Sequence, residues 1–154
     1  NEKKSLVEYI PFSKERIVLI AGNKTDTTQI QSHIKSNNIS KLEDELLQNV
    51  WYSSSNEMEH FRRFWFENFN KKPAFKPNYI LPNITSIIRC LNNGNGLALV
   101  PDFLCREQII RNEINLVWEG NVKTENTLYF ASRTDLKYKK ELDTIKSIFT
   151  SKMK

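Results

Sequence analysis

Apolar positions along the chain fall into short runs with two different periods. Ile17-Val18-Leu19-Ile20 is continuous, as a strand covered on both faces requires. Leu42, Leu46 and Leu47 share one helical face and predict a short amphipathic helix. Val50-Trp51-Tyr52 reads as a strand that stops at Ser53-Ser54-Ser55. Ser54-x-x-Glu57 then has the form of a capping box, in which each side chain satisfies the other residue's backbone amide. Met58, Phe61, Phe64, Trp65 and Phe69 follow at three- and four-residue spacing, predicting a helix with an aromatic face that Lys71-Lys72-Pro73 ends. Phe75 to Leu81 resumes as a strand, which Pro77 places near a sheet edge.

The clearest unit runs from Pro82 to Pro101. Asn83 is a good helix N-cap, and Ile84, Ile87, Ile88 and Leu91 form one apolar stripe. Gly94 and Gly96 are expected to supply the positive φ that lets the chain leave the helix sharply. Leu97 to Val100 then predicts a second strand buried on both faces. Downstream, Phe103 to Ile110 reads as a helix, Ile114 to Val117 as a strand and Gly120 to Glu125 as a turn or crossing segment. Thr127 to Ala131 reads as a strand and Lys140 to Phe149 as the last helix. Thr25 to Ser40 is polar without a sustained period and reads as a loop. Strands alternating with helices of this length predict an α/β fold with a largely parallel sheet.

Composition narrows the function classes. The 154 residues are enough for one domain or two small lobes. No apolar run approaches the ~20 residues of a membrane span, and Asn1-Glu2-Lys3-Lys4 does not resemble a signal peptide, so a cytoplasmic protein without membrane contact is expected. The net charge of +5 permits nucleic-acid contact without demanding it. Lys137, Lys139, Lys140, Lys146, Lys152 and Lys154 carry much of it, along what reads as the solvated face of the last helix. Abundant Asn, Lys and Ile with only 4 Gly point to an AT-rich genome, so the lysines need not report on partners.

Candidate chemistry is sparse. Cys90 and Cys105 have no CxxC spacing and read as reduced thiols; His33 and His60 lack neighbours at metal-ligand spacing and read as surface residues. There is no GxSxG, no P-loop and no catalytic constellation, so neither an enzyme nor a cofactor is expected. Arg62 and Arg63 interleave with the aromatic stripe, but its helical spacing favours a core or subunit contact over base stacking. Asn83, Thr85 and Ser86 open a helix whose free amides favour an anion. Ser53 and Ser54 form a second donor-rich turn; Ser54 is expected to cap the following helix, leaving Ser53 freer for a ligand. Gly22-Asn23 closes the first strand and reads most simply as a turn.

The stretch from Asn83 through Gly94-x-Gly96 to Pro101 resembles the effector-binding domain of LysR-type transcriptional regulators. That pattern is a polar cap, an apolar helix, Gly-x-Gly, apolar residues and proline. Phe12 to Ile20, Leu42 to Tyr52, Thr127 to Arg133 and Glu141 to Phe149 resemble further elements of that domain, in the same order. The resemblance implies a two-lobed, periplasmic-binding-protein-like (type II) α/β domain with mixed, mostly parallel sheets flanked by helices. Residues 1–48 and 123–154 would be a partial first lobe lacking its opening units, and 49–122 the second lobe. A small, anionic effector would bind between the lobes near Pro82, Asn83, Thr85, Ser53, Ser54 and Asn23, and the change would pass to attached DNA-binding domains. Homodimers or higher oligomers would follow, with DNA contacted only through an N-terminal helix-turn-helix absent from this sequence. A solute-binding protein of the same architecture and a basic nucleic-acid-binding module are the alternatives.

Overall fold

The computed structural model describes residues 7–133 and 138–151. The chain divides into two compact units, Asn1–Glu15 with Glu125–Lys154, and Arg16–Thr124.

The larger unit, 16–124, contains the second half of β1 (Val7–Gly22), then α1 (Thr28–Lys35), α2 (Ile39–Leu47), β2 (Trp51–Ser53), α3 (Glu59–Phe69) and β3 (Tyr79–Ile80). α4 (Ile84–Leu91), β4 (Leu97–Pro101), α5 (Asp102–Ile110) and β5 (Ile114–Trp118) complete it. The strand order is β3-β2-β4-β1-β5. β2 pairs parallel with β3 and β4, while β1 pairs antiparallel with β4 and β5. Hence β3, β2, β4 and β5 run one way, and β1 alone runs against them.

Every residue of β4 and every residue from Ile17 to Gly22 is buried, as strands with two covered faces must be. Alternation sends Ile17, Leu19, Ala21, Leu97 and Leu99 to one face, against the residues of α1, α2 and α3. Val18, Ile20, Ala98 and Val100 go to the other, against Ile87, Ile88, Leu91 and Cys105 of α4 and α5. The aromatic stripe belongs to the first core. Phe61, Phe64 and Trp65 are at most 2% exposed, and Trp51 meets Phe61 and Trp65 edge-on at 5.1 and 5.8 Å. One carboxylate is enclosed with it: Glu43 accepts from Trp65 Nε1 at 2.9 Å and pairs with Lys71.

Four local expectations need correction. Residues 25–40 are not a loop, because Ile30, Ile34 and Ile39 give α1 and α2 enough apolar anchor to fold onto the core. α3 begins at Glu59, after a left-handed Met58 (φ 49°), with no capping bond from Ser54. Ser53 Oγ instead closes its own turn, donating to Ser55 O at 2.8 Å and accepting from Ser55 N, and Met58 is drawn into the core. The helix exit after α4 takes its positive φ at Asn93 (59°) and Gly96 (121°), not at Gly94. β3 is also shorter than Phe75–Leu81 promised, although it does lie at the sheet edge.

The smaller unit holds the first half of β1, β6 (Thr124–Arg133), which pairs with β1, and α6 (Lys139–Ser151). Phe12 packs on Phe130 with centroids 4.2 Å apart, and Phe149 meets Phe130 edge-on at 6.0 Å. None of its described residues is fully buried, and Ile145, Ile148 and Phe149 on α6 are about half exposed. Lys139 and Lys140 are exposed and Lys146 half-buried. Lys137, Lys152 and Lys154 lie outside the described residues.

Candidate functional site

Strand direction decides which turns can meet. Because β3, β2 and β4 run parallel, their carboxyl ends share one edge of the sheet, the edge on which open α/β folds bind ligands. Ser53 ends β2 there, and Leu81 N donates to Ser53 O at 2.9 Å. That bond sets the Ser53–Ser55 turn beside Leu81, Pro82 and Asn83. Asn83 caps α4 by accepting from Ser86 N at 2.8 Å, with its own backbone extended as an N-cap requires. Pro82 and Asn83 are both exposed.

A cavity of about 70 Å³ opens at this edge, lined by Ser53, Ser54, Ser55, Met58, Glu59, His60, Phe61 and Leu99. At ~30 Å³ per water, it holds a couple of waters or one small functional group. With Ser53 committed to its turn, Ser54 is the hydroxyl left to a ligand, and among the described residues it makes no side-chain hydrogen bond. The start of α3 favours an anion through its unbonded amides, yet Glu59 already places a carboxylate in that turn. His60 stands beside it. The pocket therefore suits a polar group that both donates and accepts.

The six residues expected at the site divide into three places. Ser53, Ser54, Pro82 and Asn83 come together at the carboxyl edge. Thr85, the second residue of α4, lines a different cavity with α5 residues. Asn23 lies at the opposite edge, because β1 runs against its neighbours: Ala21 pairs with Leu97 at the start of β4, and Asn23 Nδ2 reaches Asn93 Oδ1 at 3.4 Å. The same reversal brings Arg16 to the carboxyl edge. Ile17 pairs with Pro101, and Arg16 N donates to Asp102 Oδ1 at 3.3 Å while its guanidinium reaches Glu119. Sequence reading missed Arg16, Glu59 and His60. The only available signal for Arg16 was its position just before an apolar strand. His60 is half-buried in the cavity, not a surface residue.

Among the described residues, no three His, Cys, Asp or Glu side chains are grouped to hold a metal ion. No helix among them is long and apolar enough to cross a membrane. Burial of Phe61, Phe64 and Trp65 leaves those rings unavailable for base stacking. Cys105 of α5 is enclosed in the second core, and burial pushes its thiol up to about 11, whereas Cys90 is exposed.

The fold is that of the regulatory domains of LysR-type transcriptional regulators. The regulatory domain of CrgA, a LysR-type regulator from Neisseria meningitidis, matches 100% of this chain and 72% of its own at a TM-score of 0.68 and 11% identity. The effector domain of AmpR from Pseudomonas aeruginosa matches 95% of this chain, which spans 65% of that domain, at 0.63 and 13%. Full-length LysG from Corynebacterium glutamicum, solved with bound effector Arg, matches 94% of this chain and 46% of its own at 0.63 and 13%. By sequence, the chain is 26% identical over 72 residues to the HTH-type transcriptional regulator AbaB of Streptomyces antibioticus. That match covers 47% of this chain and only 24% of AbaB. No protein-family model matches the chain.

Proposed function

We propose that this chain is the effector-sensing part of a LysR-type transcriptional regulator. The observation that carries the reading is the fold likeness, which extends over 94–100% of the chain in structures of regulators rather than enzymes. In this reading a small effector with an anionic group rests against the carboxyl edge of the larger unit. The Ser54 hydroxyl and the amides opening α3 donate to that group, Glu59 accepts from a donor elsewhere on the effector, and Pro82 and Asn83 border it. Binding favours one conformation of the domain, which biases an attached helix-turn-helix on DNA and contacts with a second copy. The lobe division at 48/49 and 122/123 belongs to the same proposal. The sequence relation to AbaB supports the reading over a solute carrier of the same architecture.

The test is a thermal-shift screen of the chain against carboxylates and inorganic anions. A ligand at a hundred times its dissociation constant stabilises by about 2.7 kcal/mol. Ser54→Ala, and Asn83→Gly, which keeps most of the capping energy, should each weaken a hit at least fivefold. Unchanged affinity in both variants would remove the site from this edge. A broad panel with no hit would overturn the sensing role of the chain as it stands.

A further inference from the structure

On the outer face of α4 and α5 lies a second cavity of about 280 Å³, four times the size of the one at Ser54. Its floor is apolar, from Ile88 and Leu104, and Thr85, Arg89, Gln108 and Glu113 supply polar groups. Three observations single it out. Gln108 Oε1 is buried yet receives no hydrogen bond, so an acceptor capable of binding a donor is left idle. Arg89 and Glu113 line the same cavity with opposite charges, and among the described residues neither forms an ion pair. Glu113 is held by its backbone, whose N–H donates to the Gln108 backbone carbonyl at 2.9 Å, which ties the two residues that line this cavity together at the main chain.

We propose that the α4–α5 groove binds a small zwitterion of the neutral aliphatic amino-acid type. A carboxylate placed on Arg89 gains the charge-assisted contact that guanidinium makes best. An ammonium placed between Glu113 and Gln108 Oε1 satisfies both the unpaired carboxylate and the orphaned acceptor. The aliphatic part covers Ile88 and Leu104. A volume of about 280 Å³ equals roughly nine waters, enough to accommodate such a molecule. The site is separate from the carboxyl edge and does not depend on the regulatory reading. Of the residues expected at the effector site, only Thr85 contributes to it.

The experiment titrates the chain with L-leucine, L-valine and L-isoleucine by calorimetry and ligand-observed NMR. Two single-charge analogues of leucine, 4-methylpentanoate and 3-methylbutylamine, serve as probes of each charge. The expected result is saturable binding of at least one amino acid, with both analogues at least tenfold weaker. Arg89→Gln and Glu113→Gln, neither of which removes an ion pair, should each lower affinity at least tenfold. Ser54→Ala should leave it unchanged. Saturation by none of the three amino acids would overturn the proposal. So would analogues that bind as well as leucine, or affinity indifferent to both substitutions. Loss of leucine binding in Ser54→Ala alone would return the ligand to the carboxyl edge.

Discussion

Gly22→Ala is the most informative single substitution in the larger unit. Gly22 ends the buried part of β1, and a Cβ built on it would lie 2.2 Å from Gly94 O and 2.7 Å from Gly94 C. Both atoms are backbone, so no rotamer can give way. The loop after α4 would have to retreat by about 1 Å to reach van der Waals contact. That retreat pulls on Gly22 N→Gly96 O at 2.9 Å and Lys24 N→Gly94 O at 3.2 Å, the bonds that tie the loop to β1. Overpacking costs about 1–3 kcal/mol, and two weakened hydrogen bonds add about 0.5–1.5 kcal/mol each. The sum is about 2–6 kcal/mol, a drop in melting temperature of roughly 4–24 °C. Urea denaturation followed by tryptophan fluorescence measures it, with Asn95→Ala, an exposed change in the same loop, as the control. A Gly22→Ala protein within about 0.5 kcal/mol of its parent would refute the reasoning.

Three further outcomes follow from buried groups. Trp65→Phe removes one of two side-chain donors that, among the described residues, meet the enclosed Glu43 carboxylate, Lys71 being the other, and should destabilise by about 1.5–3 kcal/mol. Glu43→Leu added to it should recover part of that loss, and strictly additive effects in urea melts would show that the two residues are not coupled. A thiol reagent at pH 8 should label Cys90 alone in the native protein and both cysteines in denaturant; two fast native thiols would contradict the burial of Cys105. Because the folded state holds Cys105 as a neutral thiol up to about pH 11, its contribution is whole below the ordinary thiol value of 9.0. As pH rises from there towards 11 the unfolded chain loses its proton first, so stability falls.

Much of the fold was legible where local chemistry and tertiary demand agree. Asn83, the isoleucine stripe and the buried run Leu97–Val100 each point the same way at every level, and the helix, cap and strand appear as read. The start of α3 was misread because Ser54-x-x-Glu57 satisfies a local rule that the Ser53–Ser55 turn and the burial of Met58 override. α1 was hidden because Ile30 and Ile34 are its only apolar anchors, and Thr27 makes no side-chain cap. Ser53, Ser54, Pro82 and Asn83 lie near one another for a similar reason: turns that follow parallel strands must share an edge. The position of Asn23 and Arg16 was out of reach, since it depends on β1 running against β4, a pairing between residues some eighty positions apart in the chain.

Most half-buried strands advertise their alignment through polarity, because a slip of one position turns charged groups inward. The stretch Ile17–Ala21 sends no such signal, being apolar towards both cores. Within the stretch itself, sliding by one residue would only exchange the two sets of apolar side chains. What forbids the slip is size and its ends: only a residue without a Cβ fits under Gly94, and Arg16 would be drawn out of water and away from Asp102. The central strand is thus held in frame by one missing methyl group at one end and one charge at the other, which makes those two positions the least replaceable in it.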